Sequence, residues 1–148
     1  MRRTGALAML LAMAACSGVT GDFDPTVTYS IVFLNNGSPD VPSPIGFSQY
    51  RIAIPRASII LHPDGTVEER MQYVITHATN STRIESTDTT FGHFTRTNGV
   101  IDVRLPNATG GEVFAGSGDD EAGQLLLSRS WKKEGITVSA EIAYFRDH

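Results

Sequence analysis

From residue 26 onward, apolar and polar residues alternate in short runs separated by turn-forming residues. Residues 26–35 (TVTYSIVFLN) put Val27, Tyr29, Ile31 and Phe33 on one face, and Thr28 and Ser30 on the other. A period of two marks a half-buried β-strand, because successive side chains of a strand point to opposite faces. The run stops at Asn35-Asn36-Gly37-Ser38, and Pro39, Pro42 and Pro44 hold the next stretch open. Residues 49–54 (QYRIAI) alternate again and are closed by Pro55. Residues 57–62 and 67–78 then flank Pro63-Asp64-Gly65-Thr66. This is hairpin chemistry, with Gly65 supplying the positive φ that such turns need. Residues 91–97 and 100–105 repeat the logic around Asn98-Gly99. Residues 112–115, 124–130 and 136–146 complete the series, separated by the acidic loop 117–123 and a turn at Lys133-Glu134-Gly135.

The pattern predicts eight or nine short strands and no helix. Sequential hairpins without long crossovers favour an antiparallel up-and-down meander, and closing the meander into a β-barrel removes its exposed edges. The expected inward face includes Tyr29, Ile31 and Phe33, then Met71, Tyr73 and Ile75, then Leu125, Leu127, Ile142 and Tyr144. It is bulky and apolar, with tyrosine hydroxyls as its few polar handles. In a small barrel such a face either fills the interior or encloses one small ligand.

The start of the chain has a different character. Arg2 and Arg3 precede an uncharged run ending at Ala15 (GALAMLLAMAA). It is shorter than the ~20 residues that span a membrane as a helix. A positive start, a short apolar stretch and small residues before a cut point are the signature of a secretory signal peptide. Cys16, the only cysteine, follows at once. Met13-Ala14-Ala15-Cys16 resembles the bacterial lipobox, with Met13 where leucine is usual, and implies that Cys16 is the site of lipid attachment. The plainer alternative is ordinary cleavage near Ala14-Ala15 with Cys16 a bystander. An exported chain with one free thiol invites unwanted pairing, and a thioether to lipid removes it. The expected organisation is a lipoprotein signal peptide over 1–15, a lipidated tether over 16–25 and one barrel domain over 26–148. Ser17 after the cysteine resembles the pattern of lipoproteins sent to the outer membrane, facing the periplasm.

Charge narrows the partners. Of twelve basic residues two lie in the signal segment, which leaves ten against sixteen acidic ones. A mildly acidic, evenly spread surface argues against nucleic acid or an anionic membrane as an electrostatic partner. Membrane attachment then falls to the lipid.

Several short motifs together resemble the lipocalin-like domains of small bacterial lipoproteins. They are Tyr29 to Gly37 (YSIVFLNNG) before a proline-containing loop, Ile59-Ile60-Leu61, Asp64-Gly65-Thr66, Gly92-His93-Phe94, Asn98-Gly99 and Tyr144-Phe145-Arg146. The resemblance spans nearly all of residues 26–148 and implies a lipocalin-like barrel. It says little about ligand, since a fold hosts many functions.

Catalytic chemistry is not evident. No serine sits in a G-x-S-x-G elbow, and the strand–helix alternation that elbow needs is missing. Residues 116–121 (GSGDDE) lack the ligand spacing of a calcium loop and read as solvated. His62, His77 and His93 read as hydrogen-bonded structural residues, unless hairpins bring all three to one mouth of the barrel as a copper or zinc site. The expectation is therefore a binding protein with no catalytic residue, no metal and no cofactor. Its candidate ligand handles are Tyr29, Tyr73, His93 and Tyr144, pointing inward toward a small hydrophobic molecule. The alternative is a packed barrel that contacts another envelope protein.

Overall fold

The computed structural model describes residues 26–148; the segments 1–15 and 16–25, Cys16 included, lie outside the described residues. The strands are β1 (Val27–Leu34), β2 (Ser43–Pro44), β3 (Tyr50–Leu61), β4 (Thr66–His77), β5 (Arg83–Thr97), β6 (Val100–Pro106), β7 (Glu112–Asp119), β8 (Gln124–Lys133) and β9 (Ile136–Arg146). From β3 to β9 each strand pairs antiparallel with the next, and β1 pairs with both β9 and β3. This closes an eight-strand up-and-down barrel, with the two-residue β2 laid along β3 as an extra strand.

Turn chemistry sets the register. Asn98 and Gly99 both have positive φ, as do Glu134 and Gly135. Such pairs form the primed two-residue turns whose twist matches a hairpin. Gly65 has a φ of 86°, and the Asp64 carboxylate accepts bonds from the Thr66 amide and hydroxyl, so the predicted hairpin is present. Gly92 acts through size. A Cβ there would lie 2.0 Å from the Arg104 carbonyl oxygen, so β5 approaches β6 as closely as it does only without a side chain.

The strands differ from expectation in five places. β3 runs unbroken through Pro55, because the register with β4 shifts between Ala53 and Arg56. A bulge is where a sheet tolerates a residue without an N–H. β5 begins at Arg83. Residues 83–90 (RIESTDTT) contain one large apolar side chain and so give no hydrophobic alternation. β7 extends through Asp119 and absorbs the first half of the acidic loop, and β8 extends through Lys133.

The fifth difference concerns a face. The register of β1 against β9 shifts between Ile31 and Phe33, leaving Val32 unpaired. Strand parity flips there, so Phe33 points outward at 46% exposure and Leu34 takes the core position at 1%. Elsewhere Tyr29, Tyr73 and Tyr144 point into the barrel as expected and pack with aliphatic residues of the other strands.

Candidate functional site

The three tyrosines are inside, but they do not converge on a common cavity. Tyr29 sits under Arg146, which donates to its hydroxyl at 3.1 Å and stacks 5.5 Å above its ring. That bond holds the Arg146 pKa above its ordinary value. Tyr144 donates to Glu69 Oε1 at 3.2 Å. Burial, then the charge of Glu69, pushes the Tyr144 pKa well up. Tyr73 donates to Asp88 Oδ2 at 2.5 Å. Each hydroxyl is thus committed to the protein.

His93 corrects the inward expectation. Gly92 and Phe94 take the inward parity of β5, so His93 faces solvent and meets Glu112 at 3.0 Å. The other histidines are equally separate. His62 pairs with Glu68 beyond one end of β4, and His77 packs edge-on to Tyr50 at the other. Among the described residues no group of three or more His, Cys, Asp and Glu is gathered that could hold a metal ion.

Sequence reasoning missed two charges inside the barrel. Glu69 lies between Val67 and Met71 on the inward parity of β4, and Arg129 follows Leu125 and Leu127 on that of β8. They are 2% and 4% exposed. Arg129 donates to Glu69 through Nε at 3.0 Å and Nη2 at 2.8 Å, and through Nη1 to the Pro106 carbonyl at 3.1 Å. A buried charge pair of this kind persists only when its remaining polar atoms are also satisfied. The parity of both residues was legible in the sequence. The identity of their partner across the barrel was not.

Two openings interrupt the wall. The first lies where β1 parts from β3, past the last pair Ser30 and Ser58. An open groove of about 450 Å³ is lined there by Ile31, Pro55, Ala57 and Met71 beneath Arg56, Arg70, Ser30, Ser58 and Gln72. Pro55, at the bulge of β3 against β4, forms part of its wall. The lining has an apolar floor, two guanidinium groups and no carboxylate, although Glu68 nearby holds Arg70 at 2.6 Å.

The second opening lies between β5 and β8. β6 pairs only with residues 93–97 of β5, and β7 only with residues 124–127 of β8. The remaining halves of β5 and β8 face each other without a ladder. Side chains span the space instead: Lys133 reaches Asp88 at 3.2 Å, and the rings of Tyr73 and Trp131 meet edge-on at 5.6 Å. A cleft of about 190 Å³ opens among Met71, Tyr73, Asp88, Thr90 and Trp131, with Glu69 and Arg129 at its floor. Burial works against the Asp88 carboxylate, but bonds from Tyr73, Ser86 and Lys133 outweigh it and leave the pKa below the ordinary value. The same contact with Asp88 raises that of Lys133.

No protein-family model, no curated protein and no solved structure matches this chain.

Proposed function

We propose that the protein is a lipid-anchored protein of the bacterial envelope, at the outer membrane and facing the periplasm, whose lipocalin-like barrel binds a small hydrophobic molecule and performs no chemistry on it. The observation that carries the binding reading is the groove between β1 and β3. Its volume of about 450 Å³ lies within the roughly 300–1,000 Å³ of small-molecule sites, and its floor is apolar. Arg56 and Arg70 at its rim favour a ligand with an anionic end. Tyr29, Tyr73 and Tyr144 do not line one common cavity, so the groove replaces their shared interior as the candidate site for a hydrophobic ligand. The anchor rests on the lipobox-like Met13-Ala14-Ala15-Cys16.

Two measurements test this. A palmitate analogue should label the wild type and leave Cys16→Ser unlabelled; an unlabelled wild type removes the anchor. A fluorescent fatty-acid probe should bind the wild type and bind Arg56→Glu/Arg70→Glu about tenfold more weakly, the loss expected of two charge-assisted contacts. A wild type that takes up neither this probe nor an uncharged analogue has no such site.

A specific feature favours a second reading, that of a packed barrel used from outside. Phe33, Ala143 and Leu126 stand side by side across β1, β9 and β8 on the outer wall, and Phe33 and Leu126 are exposed. An apolar row on a sheet exterior is a candidate protein contact. Crosslinking from position 126 to another envelope protein, with an empty groove, would favour it.

A further inference from the structure

The opening between β5 and β8 has chemistry of its own, independent of the groove. Asp88 is a fixed carboxylate: Tyr73 donates to Oδ2 at 2.5 Å and Ser86 to Oδ1 at 2.7 Å. Its third partner is the Lys133 ammonium, 3.2 Å from Oδ1 and 3.5 Å from Oδ2. The two hydroxyls belong to β4 and β5 and are held by the sheet. Lys133 comes from the last position of β8 on a long flexible stem.

The ammonium is therefore the movable partner. The Lys133 and Asp88 side chains are 29% and 39% exposed. Ion pairs this open to water contribute little and separate at small cost. The charge already seated on Asp88 reports what the carboxylate accepts, a primary ammonium.

The surroundings extend that preference. Glu69 and Arg129 at the floor neutralise each other, with Tyr144 and the Pro106 carbonyl taking their remaining bonds. Lys132 is exposed at the rim. Asp88 is then the carboxylate in the cleft with an exchangeable partner. Tyr73 and Trp131 form an aromatic wall beside it, and aromatic faces attract organic cations. The Trp131 Nε1–H is shut off from solvent and lies near the Tyr73 hydroxyl. Met71 adds an apolar surface. The cleft volume of about 190 Å³ limits a ligand to a short chain.

We propose that the cleft between β5 and β8 binds the ammonium head of a small alkylamine on Asp88, against Tyr73 and Trp131, and that Lys133 is a tethered competitor occupying the site when no amine is bound.

Trp131 is the only tryptophan, so its fluorescence reports the cleft directly. The test titrates full-length, detergent-solubilised protein with n-butylammonium at neutral pH and constant ionic strength. Butan-1-ol and butanoate serve as controls. The wild type should show a weak, saturable change in Trp131 emission. Lys133→Met keeps an unbranched side chain of similar length without the charge, and should bind butylammonium about fivefold more tightly, the factor an exposed ion pair can supply. Asp88→Asn should abolish the response. Should Asp88→Asn fail to fold, as judged by thermal unfolding, the Lys133→Met comparison decides alone. Equal affinity in wild type and Lys133→Met overturns the proposal. So does an equal response to butan-1-ol or butanoate, or no saturable change in either protein.

Discussion

Between β1 and β3 the ladder runs from Val27 to Ser30 and then stops, and an apolar floor under an arginine rim lies open beyond it. Between the long halves of β5 and β8 no ladder forms at all, and a Lys133–Asp88 ion pair crosses the space above the ring contact of Tyr73 on β4 with Trp131 on β8. Both openings arise because neighbouring strands are unequal in length or part early. They differ in what the exposed interior demands. An apolar floor tolerates partial contact with water at a cost set by its area. A floor with a buried charge demands complete pairing, because an unpartnered ion there costs several kcal/mol. The floor of the first opening can meet water, while that of the second holds only as a matched pair of charges.

The sharpest way to break the comparison is to unpair that floor. Glu69→Ala leaves Arg129 buried without its counter-ion and should cost about 3–5 kcal/mol, read from the denaturant midpoint. Glu69→Met combined with Arg129→Met should recover most of that loss, since apolar groups of similar size often replace a buried pair at little cost. A double variant as unstable as Glu69→Ala would mean that the pair also fixes the spacing of β4 and β8.

A smaller effect is expected at the end of the barrel closed by backbone. Gly65→Val forces a β-branched residue to a φ near 86° and should cost about 1–3 kcal/mol. Unlike the loss at Glu69, it should not be recoverable by a partner substitution, because the strain lies in the turn itself.

The smallest effect belongs to the bridge. Lys133→Met should cost less than about 1 kcal/mol, as both members of the pair are partly exposed. Its pH dependence sharpens the point. Asp88 titrates below its ordinary value in the fold, so its contribution is present above the unfolded carboxyl value of ~3.9 and is lost as pH falls through the folded one. Lys133 titrates above its ordinary value, so its contribution is present below ~10.4 and is lost as pH rises through the folded one. The stability difference between wild type and Lys133→Met should therefore be flat from about pH 5 to 9 and shrink on either side.

The barrel itself was legible because its turns carry their own chemistry. Asp64-Gly65 and Asn98-Gly99 mark hairpins wherever they stand between alternating runs, and both are hairpins here. The first half of β5 was invisible for the converse reason. Its inward positions are Ile84, Ser86, Asp88 and Thr90, and a polar inward face has no hydrophobic period. That polar half-strand is also what makes the second opening. Tyr29, Tyr73 and Tyr144 were correctly read as interior, but their hydroxyl partners come from 15 to 117 residues away. Local alternation fixes which way a side chain points and says nothing about what waits there. The groove was hidden by a related effect, since Pro55 in its wall reads in the sequence as the end of a strand, and the early end of the β1–β3 ladder carries no local signal.

The unpaired Val32 bears on which changes of length this chain can absorb. In an ordinary strand, losing one residue rotates every later side chain to the opposite face. In β1 the extra residue has already been spent: Ile31 pairs with Tyr144 and Phe33 with the adjacent Ala143. Removing Val32 would leave Phe33 outside and Leu34 inside, where they already are, and would turn the kink into a regular ladder. Removing Ser30 would instead put the later residues out of step as far as the bulge. Among single-residue deletions within β1, those at positions 31–33 keep Tyr29 and Leu34 inside, and the one at 32 does so without moving Ile31 or Phe33, so related chains one residue shorter in this strand should have lost their residue there.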